Sequence, residues 1–380
     1  MAHKLYYENV YTKEFTARVV SCEKGKHGFD VVLDRTAFYP EGGGQPGDTG
    51  YIGTVRVSDT HERGGEIIHY CDESVEAGAE VACRIDWDRR FDLMQQHSGE
   101  HLISGIVHEK FGYDNVGFHM GADMITIDFD GEFTEEDMRE IENRANAAIW
   151  ENSPIEISYP SPEELKNMHY RSKKELTGEV RIVHCRGVDV CACCGTHVER
   201  TGEIGLVKML SVQRFRDGVR VEMLSGRRAL EYLTRSHEQN RTVSGMLSAK
   251  IFETSAAVQR MQAELADTKY RLTASENKLF AAKAAEFSGD RNVLVFEDGL
   301  TPDGVRRLCD EIMKNTSGVV AVFSGSDETD YKYAVGQVGG DLRAFVKEMN
   351  SALSGRGGGK PFFAQGSVTA KREDIEKYFA

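Results

Sequence analysis

Two pairs of potential metal ligands constrain the fold of this chain more than any other feature. His97 and His101 are four positions apart in His97-Ser-Gly-Glu-His101, and Cys193 and His197 are four positions apart in Cys193-Cys-Gly-Thr-His197. Residues four apart share one face of a helix, so the two histidines can reach one ion. Three imidazoles and a thiolate suit Zn²⁺. We therefore predict a fold that brings both pairs to one zinc ion. The alternative is a set of buried polar residues satisfied by backbone hydrogen bonds.

Composition is that of an ordinary soluble protein with several domains. The chain has 380 residues, enough for two or three hydrophobic cores. It has no apolar run long enough to cross a bilayer and no apolar signal core at its N-terminus, so we expect a cytoplasmic protein without a membrane partner. The net charge of -14 argues against non-specific coating of nucleic acid, but local basic patches can still bind one RNA.

The cysteines favour metal chemistry over disulfides. Eight are scattered along the chain, with a cluster between positions 185 and 194. Such a cluster in a chain without a secretion signal is typical of metal binding in a reducing compartment.

Changes in hydrophobic periodicity divide the chain into four parts. Residues 1–90 alternate like short strands between turn residues, which predicts a small β-barrel, with a sandwich as the alternative. Residues 91–235 mix helical and strand periods, with a helix that begins near Thr134, and predict an α+β zinc-containing domain. Residues 236–288 predict a long helical arm, and residues 289–380 a small α/β domain. The predicted fold class is therefore α+β and multidomain.

A seven-residue repeat marks the helical arm. Ile251, Val258, Leu265, Leu272 and Leu279 occupy one heptad position, with no Pro or Gly between them. The repeat predicts an extended helix that packs on a partner. Two interpretations stay open: the helix packs on its own domain, or it joins two copies in a homodimer together with the C-terminal domain.

Several segments, in order along the chain, resemble the editing and C-terminal parts of alanyl-tRNA synthetases. The match at the second ligand pair extends to Thr201-Gly-Glu-Ile-Gly. The other matching segments are Leu33-Asp-Arg-Thr-Ala-Phe-Tyr-Pro-Glu-Gly-Gly-Gly-Gln-Pro-Gly-Asp-Thr-Gly50, Gly218-Val-Arg-Val-Glu-Met-Leu-Ser-Gly226, and Gly355-Arg-Gly-Gly-Gly-Lys-Pro361 with Ala364-Gln365-Gly366. The last of these resembles the DHHA1-like domain that the family shares with DHH phosphoesterases.

The resemblance implies a freestanding editing protein of the AlaX type, in its long form with the C-terminal domain. The aminoacylation domain of the synthetase would precede residue 1, so we expect no ATP chemistry. The implied partner is tRNA(Ala) mischarged with serine or, by size, glycine, and the implied reaction is hydrolysis of the aminoacyl ester in trans.

The resemblance also assigns the zinc ligands position by position, as His97, His101, Cys193 and His197. A zinc with an open coordination position can activate water or orient the amino acid. Whether all four ligands bind at once stays open, because four protein ligands leave no place for water. Position 194 is Cys where the family has Gly, and Cys191 is nearby, so either thiol could compete with Cys193.

Serine differs from alanine by one hydroxyl, and a site that hydrogen-bonds this hydroxyl rejects alanine because its own polar groups stay unpaired. Thr36 and Gln45, in the resembling glycine-rich segment, are the predicted serine-recognition residues. The alternative is that both are turn residues in a surface hairpin.

Glu100 supports a second interpretation of the first histidine pair. With it, the motif is His97-x-x-Glu100-His101, which also matches the inverzincin metallopeptidases, with the glutamate as general base. That interpretation gives no role to the second ligand pair, whereas the editing interpretation explains both pairs. We predict that Glu100 moves protons in the deacylase; the alternative is an exposed charge without a role.

Basic residues at two places predict local RNA contacts. Arginine binds phosphate through its planar fork, and the glycine-rich segment 355–360, interpreted as a loop, would let backbone amides approach phosphate. The predicted tRNA-binding residues are Arg214, Arg216, Arg227, Arg228, Arg356 and Lys360. The alternative for the glycine-rich segment is a flexible solvent loop.

A third hypothesis is a non-catalytic relic that binds tRNA or dimerises. The intact set of four ligands argues against it. Zinc binding without deacylation would support it.

Overall fold

The computed structural model describes residues 2–26, 28–172 and 178–380, and these form two compact units, Met1–Asn240 and Arg241–Ala380. Both units mix helices with sheets, which confirms the predicted α+β class. The finer division into four domains stays a prediction. In the described parts of the chain, every helix is too short or too polar to cross a membrane.

The first ninety residues form a closed antiparallel sheet. The strands are β1 (His3–Lys4), β2 (Glu14–Gly25), β3 (Gly28–Leu33), β4 (Arg35–Thr36), β5 (Gly50–Ile52), β6 (Val55–Arg63), β7 (Glu66–Cys71) and β8 (Glu80–Ile85), and a short helix is α1 (Leu5–Glu8). Six of the strands pair in the order β2-β3-β7-β6-β5-β8, and β2 closes the ring by pairing with β8. Strands β1 and β4 form a separate parallel pair.

Buried side chains, which alternate with exposed ones along the strands, fill the interior of this closed sheet. In β2, Ala17 and Val19 are buried while the residues between and beside them are exposed, because successive side chains of a strand point to opposite faces. Val31, Leu33 and Val57 join them in one hydrophobic cluster. The closed sheet therefore has its own core, in the region for which a barrel was predicted.

The rest of the first unit surrounds one buried helix. This helix is α2 (Trp87–Phe111), and it is followed by β9 (Asn115–Met120), β10 (Ile125–Phe129), α3 (Glu135–Trp150), β11 (Ile155–Ser158), α4 (Pro162–Asn167), β12 (Ile182–Cys185), β13 (Asp189–Ala192), a 3₁₀ turn (Thr201–Ile204), β14 (Val207–Phe215), β15 (Gly218–Ser225) and α5 (Gly226–Met246). The strands form one sheet of order β14-β15-β10-β9 and one of order β11-β12-β13. Thr134 caps α3 through a capping box, as predicted.

Helix α2 is buried continuously from Leu93 to Val107, so its polar residues lie inside the protein as well as its apolar ones. Apolar side chains of α2 pack in the largest hydrophobic cluster of the unit. Gly105 allows close approach to the β12–β13 turn, since a Cβ at this position would lie 2.4 Å from the carbonyl oxygen of Val188. This contact brings β13, and the loop after it, against α2.

The second unit contains a long helix and a five-stranded sheet. After a 3₁₀ turn (Ile251–Glu253), its elements are α6 (Thr254–Ala284), β16 (Val293–Phe296), α7 (Pro302–Met313), β17 (Val320–Ser324), β18 (Tyr331–Gly336), α8 (Arg343–Ala352), β19 (Gly355–Lys360), β20 (Phe363–Val368) and α9 (Arg372–Phe379). The strand order of the sheet is β16-β17-β18-β20-β19. Alternating strands and helices agree with the α/β prediction.

The glycine-rich segment 355–360 is a strand and not a loop, so that expectation was wrong. Strand β19 lies at the edge of the sheet, where β20 is its one partner among the described strands. A Cβ at Gly357 would lie 2.4 Å from the carbonyl oxygen of Gln365, so the absence of a side chain permits the close pairing.

Helix α6 packs on its own unit through residues other than the heptad leucines. Phe280 and Ala284 are buried against α7. Leu265, Leu272 and Leu279 are 53%, 58% and 69% exposed, so the interpretation in which this stripe packs on its own domain was wrong at these three positions.

Candidate metal centre

The four predicted ligands meet at one point. One ligand atom from each of His97, His101, Cys193 and His197 lies within 4.8 Å of the other three. The histidines are buried, with at most 2% of each exposed, and Cys193 is half-buried. Two consecutive turns of α2 supply the first pair, and the loop after β13 supplies the second. A donor set of three imidazoles and one thiolate in this arrangement could hold a metal ion.

The loop after β13 is shaped to fit against α2. A Cβ at Gly195 would lie 2.1 Å from Cε1 of His97, so only glycine fits here. The backbone amide of Gly195 donates to Sγ of Cys193 at 3.3 Å, which turns the sulfur back toward the histidines. The same sulfur lies 3.4 Å from Nε2 of His97.

In each histidine of the cluster, Nδ1 lies within hydrogen-bonding distance of a side chain that is not a member of the cluster. His97 donates to Oε1 of Gln45 at 3.0 Å, and His101 donates to Oδ2 of Asp189 at 2.8 Å. Nδ1 of His197 lies 3.3 Å from the hydroxyl of Ser98. Such partners fix the ring orientation of metal ligands.

Nε2 of His197 is the atom of this site whose surroundings most favour a metal ion. Among the described residues, this buried nitrogen has no hydrogen-bond partner. Because an unpaired buried polar atom costs free energy, and because Nδ1 of the same ring is already engaged, a metal ion is the simplest partner for Nε2. The residues present therefore fit a zinc ion.

The electrostatics of the cluster also suit a metal. Burial would raise the pKa of Cys193, but the neighbouring histidines outweigh it and hold the pKa well below its usual value, which favours the thiolate. Burial lowers the pKa of His197 to about 3, so this ring is neutral at pH 7. Thiolate and neutral imidazole are the protonation states that metals bind, so Cys193 and His197 are already in those states. Burial lowers the pKa of His101, but its hydrogen bonds to Asp189 and Cys193 outweigh burial and hold the pKa well above its usual value, so a metal must displace a proton from this ring.

The other two thiols near the site are less suited to compete. Cys191 lies in a second group with His101 and Asp189, and burial raises its pKa to about 11, so it stays a thiol at neutral pH. Cys194 is exposed and, among the described residues, belongs to neither group. Geometry therefore favours Cys193, the residue chosen from the sequence.

The two predicted serine-recognition residues are both fully buried and are not surface turn residues. Gln45 lies beside the cluster: its Oε1 accepts from His97 and from the amide of Thr196, and its Nε2 donates to the Thr196 hydroxyl at 2.7 Å. The hydroxyl of Thr36 instead bonds Nε2 of His69 at 2.9 Å and accepts from the amide of Phe38. The structure thus joins Gln45 to the ligands and gives Thr36 partners in the sheet region.

Glu100 is buried, with 1% exposed, so the alternative of an exposed charge was wrong. Its Oε1 accepts from the hydroxyl of Ser104 at 2.6 Å and from the side-chain amide of Asn115. Its Oε2 lies 3.9 Å from Nε2 of His101. The carboxylate therefore lies beside the cluster, within 4 Å of one of its imidazole nitrogens.

Sequence reasoning missed Phe118, Ser98 and Asp189. The ring of Phe118, on β9, lies 5.3 Å from that of His97 between centroids and forms one wall of the site. Side chains alternate along a strand, so the adjacent His119 faces the other way and is exposed. An aromatic in a strand, a serine in a helix and an aspartate after a turn carry no local signal for these roles.

The predicted tRNA-binding arginines of the first unit do not form one patch. Arg214 and Arg216 lie at the turn between β14 and β15, whereas Arg227 and Arg228 begin α5, at the other end of β15, roughly 25 Å away for eight extended residues. Arg228 is engaged internally, because its guanidinium binds Asp92 and the carbonyl oxygen of Gly121.

The other three arginines, Arg214, Arg216 and Arg227, are more exposed to solvent than Arg228. Arg214 pairs with Glu132 and Arg227 with Glu231, in exposed ion pairs. Arg216 lies over the ring of Phe215, 5.1 Å from its centroid. In the second unit, Arg356 and Lys360 are exposed on β19, and Lys360 lines a cavity of about 320 Å³ between that strand and α8.

Three known families match the chain in sequence. The family described as tRNA synthetases class II (A) matches residues 4–89, the threonyl and alanyl tRNA synthetase second additional domain matches residues 180–221, and the DHHA1 domain matches residues 290–379. The second of these includes Cys193 and His197. The modules are thus those of a synthetase-related protein with an additional domain that contains the second ligand pair.

Individual relatives match over nearly the full length. The chain is 29% identical to the alanyl-tRNA editing protein AlaX-L of Pyrococcus horikoshii, over 99% of this chain and 96% of that protein. It is 29% identical to the alanyl-tRNA editing protein Aarsd1-A of Xenopus laevis, over 96% and 94% respectively. An alanine–tRNA ligase of Halorubrum lacusprofundi is 33% identical over 96% of this chain but only 42% of that protein. The chain belongs to the alanyl-tRNA editing protein family and is AlaX-L-like along its length.

Proposed function

We propose that this chain is a trans-editing hydrolase that removes the amino acid from mischarged tRNA(Ala), with Ser-tRNA(Ala) as its main substrate and Gly-tRNA(Ala) as a second. The observation that carries this proposal is the four-residue cluster, in which Nε2 of His197 has no hydrogen-bond partner within the part of the chain that the structure describes. Membership of the editing family supports a deacylase reaction on a tRNA substrate.

Zn²⁺ is the proposed cofactor, held by His97, His101, Cys193 and His197. A zinc ion there would supply Lewis-acid chemistry at the aminoacyl ester when one coordination position is open to the substrate. Cys193 is the half-buried member of a set whose histidines are buried, so the substrate approaches from its side.

Protein groups supply proton transfer and recognition in this proposal. Glu100, held by Ser104 and Asn115, takes a proton from the attacking water and gives it to the ribose oxygen as the ester bond breaks, so that the ribose leaves as the free hydroxyl. Gln45 uses one amide hydrogen for Thr196, and the other recognises the serine hydroxyl. Thr36 is proposed to support this site from the sheet through its bond to His69.

In this proposal, basic residues of both units bind the tRNA. Arg214, Arg216 and Arg227 contact phosphates from the first unit, and Arg356 and Lys360 do so from β19 of the second. Arg228 acts by holding Asp92 and not as a direct contact. The exposed leucines of α6 are proposed to join two copies of the chain in a homodimer.

The test is release of serine from purified Ser-tRNA(Ala) at neutral pH, with Ala-tRNA(Ala) as the substrate control. We expect rapid release by the zinc-loaded protein, loss of at least 100-fold on chelation or in Cys193→Ala, and little release of alanine. Cys194→Ala is the matched control, because the neighbouring thiol lies outside the cluster, and it should keep activity.

Two other results would replace the proposal. Zinc-loaded protein that releases no amino acid supports the non-catalytic relic. Cleavage of peptides, with no release from charged tRNA, supports the inverzincin interpretation, although the cluster joins Cys193 and His197 to the helix pair and that class has no role for them.

A further inference from the structure

The three histidines of the cluster differ in the chemical group that contacts Nδ1. Nδ1 of His97 faces a neutral amide and Nδ1 of His197 faces a neutral hydroxyl. His101 alone faces a carboxylate, that of Asp189, at 2.8 Å. The ligands are therefore not equivalent, since an anionic acceptor both orients a ring and makes it a stronger donor to a metal.

The carboxylate of Asp189 is itself held rigidly. Arg171 donates from Nε to Oδ1 at 2.8 Å and from Nη2 to Oδ2 at 2.9 Å, a parallel two-bond pair. The side chains of Arg171 and Asp189 are 7% and 1% exposed. Because both oxygens are fixed by Arg171, Oδ2 has one position from which to accept the proton of His101.

We infer that Asp189 is a positioning residue that fixes His101 for metal binding, and that Arg171 holds its carboxylate in place. The bond to Asp189 puts the imidazole hydrogen on Nδ1, so Nε2 keeps its lone pair for the metal. It also prevents rotation of the ring out of the cluster. This role rests on the proposed zinc function of the site.

The chain offers a matched control for this pair. Arg220 holds Asp128 in the same way, with Nε donating to Oδ1 at 2.6 Å and Nη2 to Oδ2 at 2.8 Å. Asp128 lies on β10 and pairs in register with Arg220 on β15. The change Asp128→Asn therefore removes the same charge from the same kind of pair without touching a histidine ligand.

The experiment measures zinc affinity of the metal-stripped full chain by competition with a chromophoric chelator, without tRNA. We expect Asp189→Asn to weaken zinc binding roughly 10- to 100-fold, and Asp189→Leu at least as much, whereas Asp128→Asn stays within about twofold of wild type. Arg171→Lys keeps the charge but not the two parallel bonds, so it should weaken zinc binding severalfold. If the Asp189 variants fail to fold, Arg171→Lys still tests the inference.

A double-mutant cycle separates positioning from general destabilisation. If Asp189 acts through His101, the change Asp189→Asn has no further effect on zinc affinity in a His101→Ala background. An equal loss in both backgrounds, or wild-type affinity in Asp189→Asn and Arg171→Lys, overturns the inference while leaving the proposed function intact. Wild-type protein that binds no zinc contradicts both.

Discussion

Arg181 and Cys193 are joined by reciprocal hydrogen bonds. The backbone amide of Cys193 donates to the carbonyl oxygen of Arg181 at 3.0 Å, and Nη1 of Arg181 donates back to the carbonyl oxygen of Cys193 at 2.7 Å. The same Nη1 also donates to the carbonyl oxygen of Gly195 at 3.0 Å. One buried cation thus holds the loop that carries the thiolate.

Replacement of Arg181 should loosen this loop. The change Arg181→Met leaves two loop carbonyls without their donor, and we expect a loss of about 2 kcal/mol in the free energy of unfolding together with weaker zinc binding. Urea denaturation of the metal-free chain and chelator competition measure the two effects. Arg186→Met, at an exposed position near the same hairpin, is the control and should change stability by less than about 0.5 kcal/mol. Equal behaviour of the two variants would contradict the role of Arg181.

Glu100 should affect turnover more than metal content. The change Glu100→Gln keeps the shape of the side chain but removes its ability to take a proton, so we expect kcat to fall about 100-fold on Ser-tRNA(Ala). Zinc stoichiometry, measured by elemental analysis, should stay unchanged. Glu109→Gln, at an exposed position on α2, is the control. Unchanged turnover in Glu100→Gln would dismiss the proton-transfer role.

Binding of tRNA(Ala) should depend on salt through β19. Each phosphate contact adds to the slope of log affinity against log salt, so removal of one contact lowers the slope by about one. We expect Arg356→Ala and Lys360→Ala each to do this in a filter-binding titration. Lys278→Ala, at an exposed position on α6, should leave the slope unchanged. If all three variants behave alike, β19 is not the contact surface.

The exposed leucines of α6 should determine the oligomeric state. A double change, Leu265→Glu with Leu272→Glu, puts charge into the proposed helix contact and should give monomers in sedimentation at concentrations where the wild type is dimeric. Tyr270→Glu adds charge on the opposite face of the same helix and should leave the dimer intact. A wild-type chain that sediments as a monomer contradicts the proposed homodimer.

His69 should make stability depend on pH. Burial lowers its pKa to about 4, below the value of about 6.5 expected in the unfolded chain. Between these values the unfolded state binds the extra proton, so the free energy of unfolding falls as pH drops from about 6.5 to 4, by roughly 3 kcal/mol in total. Urea denaturation of metal-free protein from pH 7 to pH 4 should show a shallower fall for His69→Gln. Parallel curves would contradict this.

The metal ligands could be predicted from the residue types and from their short spacing in the sequence. His97 and His101 are one helical turn apart, so their shared face follows from helix geometry once the segment is a helix. The cap at Thr134 and the alternating α/β pattern of the last ninety residues are likewise local, and the structure confirms them. The resemblance to the editing family agreed with the pairing of the two ligand segments that ligand chemistry had suggested, and the comparisons bear out the resemblance itself.

The sequence by itself determined which side chains can bind a metal, because ligand type and short spacing are properties of neighbouring residues. Only the tertiary structure decided which residues hydrogen-bond to these ligands and orient them. Gln45 is 52 positions from His97, and Asp189 is 88 positions from His101. It likewise decided that segment 355–360 is an edge strand, since a glycine run has no side chains to mark a strand face. The partners of a ligand and the neighbours of a strand depend on how distant segments pack, and no local pattern encodes that packing.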